Sequence, residues 1–359
     1  MALEFAERIR RIPVYPAASG YALPGDVALL ASNESPYEPL PEVVEAAARA
    51  LIGANRYPDP ANSVLRRAVG DRYSVPEGRI AIGNGSCDIL LAAGEALLEP
   101  GAEVVYAWPS FSVYPHLAAA SGARAIAVPV DAEHRHDLPA MRKEITAATR
   151  LVIVCNPNNP TSTALPLPDI AAFVADVPRH VCVIIDEAYC EFSLLEDPDA
   201  SLKLIDRHQN VVLLRTFSKI HGLCGLRVGY ALCGSDDFRV AVDQVRQPFF
   251  CNIAAQAAAV EALAHEDEVT RRVEHNLAER IAMDEGLRAL DLVPADSQAN
   301  FLWFDLPGGT DEPALVRALA ERGVLVRSGT ALGRPGALRV TVGREHENER
   351  FLTELRSLL

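Results

Sequence analysis

From about residue 78 to residue 233 the chain alternates short, nearly unbroken apolar runs with longer stretches whose apolar residues recur every three or four positions. An apolar run of four to eight residues suits a strand buried on both faces, and the longer period is that of a helix with one buried side. The pattern predicts strands at 79–82, 104–107, 123–130, 151–155, 181–186, 211–216 and 228–233, with helices at 88–98, 111–120, 138–146 and 167–177. Such alternation builds a mostly parallel seven-stranded sheet with helices on both faces, and places chemistry at the carboxyl ends of its strands. The expected fold class is α/β.

Beyond Gln247-Pro248 the pattern changes. Residues 252–290 read as one long helix, first alanine-rich and then strongly charged, followed by strands at 300–305, 324–326 and 338–342 and a helix at 312–322. This second pattern predicts a smaller α/β domain. The first forty residues hold Pro13, Pro16, Pro24, Pro36 and Pro39 without a clear period, so they read as an arm. The expected division is an arm with part of the small domain at 1–40, a large domain at 41–250 and a small domain at 251–359. Neither an internal repeat nor a low-complexity tract interrupts it.

A chain of 359 residues with 49% hydrophobic residues can bury a sizeable core. Its 34 basic residues face 48 acidic ones, a formal charge of −14 with no basic block, which argues against a nucleic-acid partner. Seven cysteines make an odd number with no C-x-x-C pair, as reduced thiols of a cytoplasmic protein would, and no metal ligand set is assigned. The N-terminus lacks the apolar core of a signal peptide, and no stretch approaches the roughly 18 apolar residues of a membrane span.

Lysine is scarce, with only Lys143, Lys203 and Lys219, and the last sits in the run from Arg215 to Tyr230 between two predicted strands. A primary amine at a sheet rim, with Ser218 beside it and Arg227 eight positions on, suits an aldehyde cofactor that carries a phosphate. Pyridoxal 5'-phosphate is that cofactor: the amine makes the covalent bond, and the hydroxyl and guanidinium hold the anion.

Other strand ends support this reading. Val181 to Asp186 ends in a carboxylate followed by Glu187-Ala188-Tyr189. Such an acid could cap a helix or hold the metal of an NTPase, but no Gly-x-x-x-x-Gly-Lys-Ser/Thr accompanies it. Beside a pyridine nitrogen, ionised Asp186 would keep that nitrogen protonated, because an adjacent opposite charge favours the charged form. Tyr189 could then bond the ring's phenolate oxygen. The turn Asn156-Pro157-Asn158-Asn159-Pro160-Thr161 presents Asn159 rigidly as a second donor to that oxygen. In Gly83-Asn84-Gly85-Ser86-Cys87-Asp88 the aspartate occupies the place of a third glycine, so a dinucleotide fingerprint fails. What remains is a turn whose N–H groups at Gly85, Ser86 and Cys87 open a helix and can cradle phosphate. Phe111, after the strand at 104–107, could lie flat on the ring or be plain core. Arg327 and Arg339 lie among strand-like apolar residues, where an arginine is usually an edge residue, but a substrate carboxylate near Lys219 needs a guanidinium partner, and Arg339 is the preferred one.

These motifs, with Ser32-Asn33-Glu34-Ser35-Pro36-Tyr37, Asn55-Arg56-Tyr57-Pro58-Asp59 and Ser297-Gln298-Ala299-Asn300-Phe301, resemble the fold-type I, aspartate-aminotransferase-like family of pyridoxal-phosphate enzymes over nearly the whole chain. Within that family the chain resembles the histidinol-phosphate aminotransferases. The resemblance implies Lys219 as the lysine bonded to the cofactor, Asp186 as the partner of the ring nitrogen, and Asn159 and Tyr189 on the phenolate oxygen. It puts Ser86, Ser218 and Arg227 on the phosphate, and Tyr57 on the phosphate of the neighbouring subunit in a homodimer with shared sites. Tyr15, Asn33, Arg327 and Arg339 would line the substrate pocket. The implied reaction passes an amino group from a donor to a 2-oxo acid, in the leading reading from histidinol phosphate to 2-oxoglutarate in histidine biosynthesis. The turn's ending Asn159-Pro160-Thr161-Ser162-Thr163, with Ser162 where the family usually has glycine, resembles the aromatic amino-acid aminotransferase branch and gives the alternative. Decarboxylation of threonine phosphate is a third reading.

Overall fold

The computed structural model describes residues 3–5, 9–10, 12 and 26–359. Among the described residues twelve strands are formed: β1 (Ala28–Leu29), β2 (Ile80–Gly83), β3 (Glu103–Trp108), β4 (Arg124–Pro129), β5 (Thr149–Cys155), β6 (Cys182–Asp186), β7 (Val211–Thr216), β8 (Gly229–Cys233), β9 (Phe301–Asp305), β10 (Val324–Leu325), β11 (Arg327–Ser328) and β12 (Ala337–Thr341). Seven of them form one sheet in the order β2-β8-β7-β6-β5-β3-β4. Only β8 runs against its neighbours, so the sheet is mostly parallel, as the alternating pattern predicts.

Each central strand serves two cores. In β5, Val152 and Val154 enter one apolar cluster while Leu151, Ile153 and Cys155 enter the cluster on the opposite face. β7 divides in the same way, with Val211 and Leu213 on one side and Val212 and Leu214 on the other. Alternation of side chains across a pleat, with both faces covered, is the physical reason these strands read as unbroken apolar runs.

The long helix expected over 252–290 is two helices, Ile253–Ala262 and Glu266–Arg288. Neither glycine nor proline breaks it. The second helix instead opens on Glu266, Asp267 and Glu268, acids that favour a new N-terminus. The strand expected at 324–326 is likewise two short strands with different partners: β10 pairs with β1, and β11 pairs with β12. A three-stranded sheet in the order β11-β12-β9 covers its own core, centred on Phe304, Leu319, Val340 and Phe351. Helices at Pro41–Leu51, Ser63–Tyr73, Asp236–Val245 and Glu345–Leu358 lie outside the predicted set. Among the described residues no helix is long and apolar enough to cross a membrane.

Candidate active site

The parallel strands deliver their ends to one rim. Cys155 at the end of β5 is in register with Asp186 at the end of β6. Thr216 at the end of β7 and Gly83 at the end of β2 both face Gly229, where the antiparallel β8 begins. The segments that leave these ends line a cleft of ≈470 Å³ that is closed from the other side by β11, β12 and residues 31–34. Twelve sequence-predicted residues line it: Asn33, Ser86, Cys87, Phe111, Asn159, Asp186, Tyr189, Ser218, Lys219, Arg227, Arg327 and Arg339.

Lys219 Nζ donates to the Ser32 carbonyl at 3.1 Å. Burial, followed by the positive charge of Arg339, lowers its pKa to about 8, so a useful share of the amine is neutral near physiological pH. Asp186 is 4% exposed, and burial raises its pKa to about 6 against hydrogen bonds from Tyr114 and the Ala188 N–H. Among the described residues it forms no ion pair. A buried carboxylate without an ion-pair partner, under only the weaker field of Lys219, is poised for a cationic ligand, whose arrival would hold it ionised. The adjacent Glu187 turns the other way along the chain and bonds Arg215 Nε at 2.8 Å, so the two acids have separate duties.

The turn expected to cradle a phosphate is built from backbone. Helix Ser86–Leu97 starts without a side-chain cap, leaving its first N–H groups to meet an anion. Gly85 has φ 81 and ψ 157, a conformation nearly confined to glycine, and a Cβ there would strike the Arg227 guanidinium. A Cβ on Gly229 would strike the Ser86 N–H in the same way. Ser218 accepts a hydrogen bond from Thr216 Oγ1 at 2.9 Å, and Arg227 donates to the Cys224 carbonyl at 2.8 Å. Gly85 thus shapes the cradle behind Arg227 without itself lining the cleft.

Across the cleft, the Tyr189 hydroxyl accepts from Asn33 Nδ2 at 3.0 Å and Asn159 Nδ2 at 3.4 Å. Both amides donate to this oxygen, which leaves its own proton for an oxygen acceptor in the cleft. Asn159 Oδ1 in turn accepts from Arg339 Nη1 at 2.5 Å, and Arg339 Nη2 donates to the Ala31 carbonyl at 2.6 Å. Arg339 and Arg327 stand directly opposite one another on β12 and β11, so the two guanidinium groups share one end of the cleft. Phe111 meets Tyr114 edge-on with ring centroids 5.7 Å apart.

Among the described residues, the predicted Tyr57 is not brought to this cleft. Tyr57 is 80% exposed and stacks on Phe249 at 4.5 Å, away from the chain's own Lys219. Tyr15 and nearly half of the predicted arm lie outside the described residues. One residue escaped the sequence reading altogether: Tyr114, fully buried in helix Val113–Ser121, donates its hydroxyl to Asp186 Oδ2 at 2.8 Å. Its only signal was a phenol tip on the apolar side of a helix that also carries His116 and Ser121.

The donor set fits pyridoxal phosphate. Lys219, Asp186, Tyr189 with Asn159, and the cradle of Gly85, Ser86, Cys87, Ser218 and Arg227 would hold its aldehyde carbon, ring nitrogen, phenolate oxygen and phosphate respectively. Bound there, the cofactor supplies a ring that accepts electrons. The chain supplies an amine that can take and return a proton, a charge partner, and guanidinium groups for an anionic substrate.

Residues 25–355 match the aminotransferase class I and II family, and the chain belongs to it. It is a pyridoxal-phosphate-dependent aminotransferase of fold type I. An aromatic amino acid aminotransferase of Thermobifida fusca is 44% identical over 93% of this chain and 90% of its own length. A histidinol-phosphate aminotransferase of Geobacillus thermodenitrificans is 38% identical over 99% of this chain and 98% of its own. The crystal structure of histidinol-phosphate aminotransferase from Sinorhizobium meliloti in complex with pyridoxal 5'-phosphate superposes with a TM-score of 0.86 at 26% identity, covering 100% of this chain and 99% of that one.

Proposed function

We propose that this aminotransferase takes aromatic amino acids as donors and a 2-oxo acid such as 2-oxoglutarate as acceptor. The observation that carries this reading is the makeup of the cleft: its lining combines guanidinium groups at Arg327 and Arg339 with apolar side chains that include Leu332, Phe111 and Ala31. A forked cation holds the carboxylate common to both substrates, while apolar surface suits a ring. The relative from Thermobifida fusca supports the same reading, in preference to the histidinol phosphate expected first. Histidinol phosphate stays the second reading, because two guanidinium groups also suit a phosphate and the Geobacillus thermodenitrificans relative carries that name.

In this reading Arg339 grips the carboxylate and Lys219 Nζ carries the proton to and from the substrate Cα, with Asp186 holding the opposing charge. Steady-state turnover with 2-oxoglutarate separates the alternatives. Phenylalanine or tyrosine should exceed histidinol phosphate in kcat/KM by about tenfold or more, equal to about 1.4 kcal/mol of transition-state discrimination. The reverse order would transfer the assignment to histidinol phosphate, and release of carbon dioxide from threonine phosphate would transfer it to decarboxylation.

We propose a homodimer as the working assembly. Val44, Leu51, Ile52, Tyr57, Val64 and Phe249 leave large apolar side chains exposed, which a second copy would cover while bringing Tyr57 to its phosphate. Sedimentation equilibrium should give twice the chain mass; a monomer at working concentration would sink this assembly.

A further inference from the structure

The hairpin that joins β11 to β12 is braced from behind by a residue that touches nothing in the cleft. Glu312, at the start of helix Glu312–Glu321, is 3% exposed and accepts hydrogen bonds from Ser328 Oγ, from Thr330 N and Thr330 Oγ1 at 2.9 Å each, and from Gly336 N at 2.5 Å. One carboxylate thus gathers both ends of the hairpin. Within the loop, Leu332 N and Arg334 N both donate to the Gly329 carbonyl at 2.9 Å. At the tip, Gly333 has φ +93, and a Cβ there would lie 2.5 Å from Cζ2 of the Trp108 indole. Trp108 closes β3 just before the segment that carries Phe111.

The hairpin is therefore fixed by charge-assisted hydrogen bonds on one side and by close contact with the sheet rim on the other. Between these supports Leu332 lines the cleft, together with Arg327 and Arg339 from the flanking strands. Four bonds to one buried acid exceed what a surface turn needs, and they fix the one large aliphatic side chain that the hairpin gives the cleft.

We propose that Leu332 is a specificity-determining residue, the wall against which the aromatic ring of the amino-acid or oxo-acid substrate packs, and that Glu312 is the positioning residue that holds it there. This inference rests on the proposed preference for aromatic substrates. The arginines bind the carboxylate of either substrate, so loss of the wall should weaken only ligands that carry a ring.

The test measures dissociation constants of 3-phenylpropionate and glutarate on the holoenzyme, together with kcat and KM for phenylalanine and glutamate. The native protein should bind 3-phenylpropionate the more tightly. Leu332→Ala should weaken 3-phenylpropionate by about tenfold, a size expected for trimming an apolar pocket, with glutarate changed less than about twofold. KM for phenylalanine should rise while kcat is kept. Glu312→Gln should shift the same ligand in the same direction by less, and Leu332→Met should restore it. Should Leu332→Ala fail to fold, Leu332→Met and Glu312→Gln carry the comparison. Equal weakening of both ligands, or no change for 3-phenylpropionate, overturns the inference while the aromatic reading stands. A native protein that favours glutarate and does not turn over phenylalanine overturns the aromatic reading, and the inference with it.

Discussion

Lys219→Ala is expected to lower kcat by at least about a thousandfold and to abolish the visible absorbance of the lysine-bonded cofactor. In the proposed reading the side chain has two tasks, a covalent hold and proton transfer, and no other lysine lines the cleft. Asp186, Tyr189, Ser218 and Arg227 are untouched by the change, so the variant should keep non-covalent affinity for the cofactor. A small primary amine added to the solution should restore part of the rate. Undiminished turnover would place the proton-transferring base elsewhere. The pH dependence follows from geometry: burial and Arg339 bring the amine to about 8 from its ordinary 10.5, so uptake of the cofactor aldehyde by cofactor-free protein should rise with pH and level off above about 8.

Asp186→Asn should have the second-largest effect, with opposite signs for activity and stability. Turnover should fall by about two to three orders of magnitude, because the amide keeps an oxygen for Tyr114 but brings no charge to the ring nitrogen. The cofactor-free variant should nevertheless melt above the native protein at pH 7. Burial raises the Asp186 pKa from 3.8 to about 6, so the folded chain holds this proton more tightly than the unfolded chain. Stability therefore falls as pH climbs through that window, and above it the buried charge costs about 3 kcal/mol at most. The two melting curves should converge below about pH 3, where the acid is protonated in both states. With cofactor bound, the opposing charge offsets the cost and the difference should shrink. Melting of the cofactor-free variant below the native protein at pH 7 would remove the assignment of Asp186 as an uncompensated buried charge.

The strands were legible because burial on two faces leaves unbroken apolar runs; β7 begins and ends where the pattern places it, at Val211 and Thr216. The chemistry at their ends was legible for a related reason. Polar residues at the rim of such runs, Lys219, Asp186 and Asn159 among them, have few structural reasons to be there. Less visible was whatever depends on distant segments. The break between Ala262 and Glu266 lies within good helix formers, and packing decides where it falls. Tyr114 looks like one more aromatic on a buried helix until Asp186 is set beside it. Glu312 reads as an exposed acid in a first helical turn, and only the folded hairpin reveals it as buried. Tyr57, whose expected partner belongs to a second subunit, is exposed on the single chain.

The pairing of β1 with β10 sets a timetable for biosynthesis. Ala28 and Leu29 leave the ribosome before the seven-stranded sheet is made, yet their partners Val324 and Leu325 come only after it. Domains begin to fold as they are made, so the seven-stranded sheet can assemble while the leading segment still waits for its neighbour. That segment continues directly into Ser32, which receives the Lys219 amine, and Asn33, which bonds Tyr189. A nascent polypeptide halted before residue 324 would thus carry the lysine and its sheet but not the finished chamber around them, which ties the onset of activity to completion of the C-terminal segment.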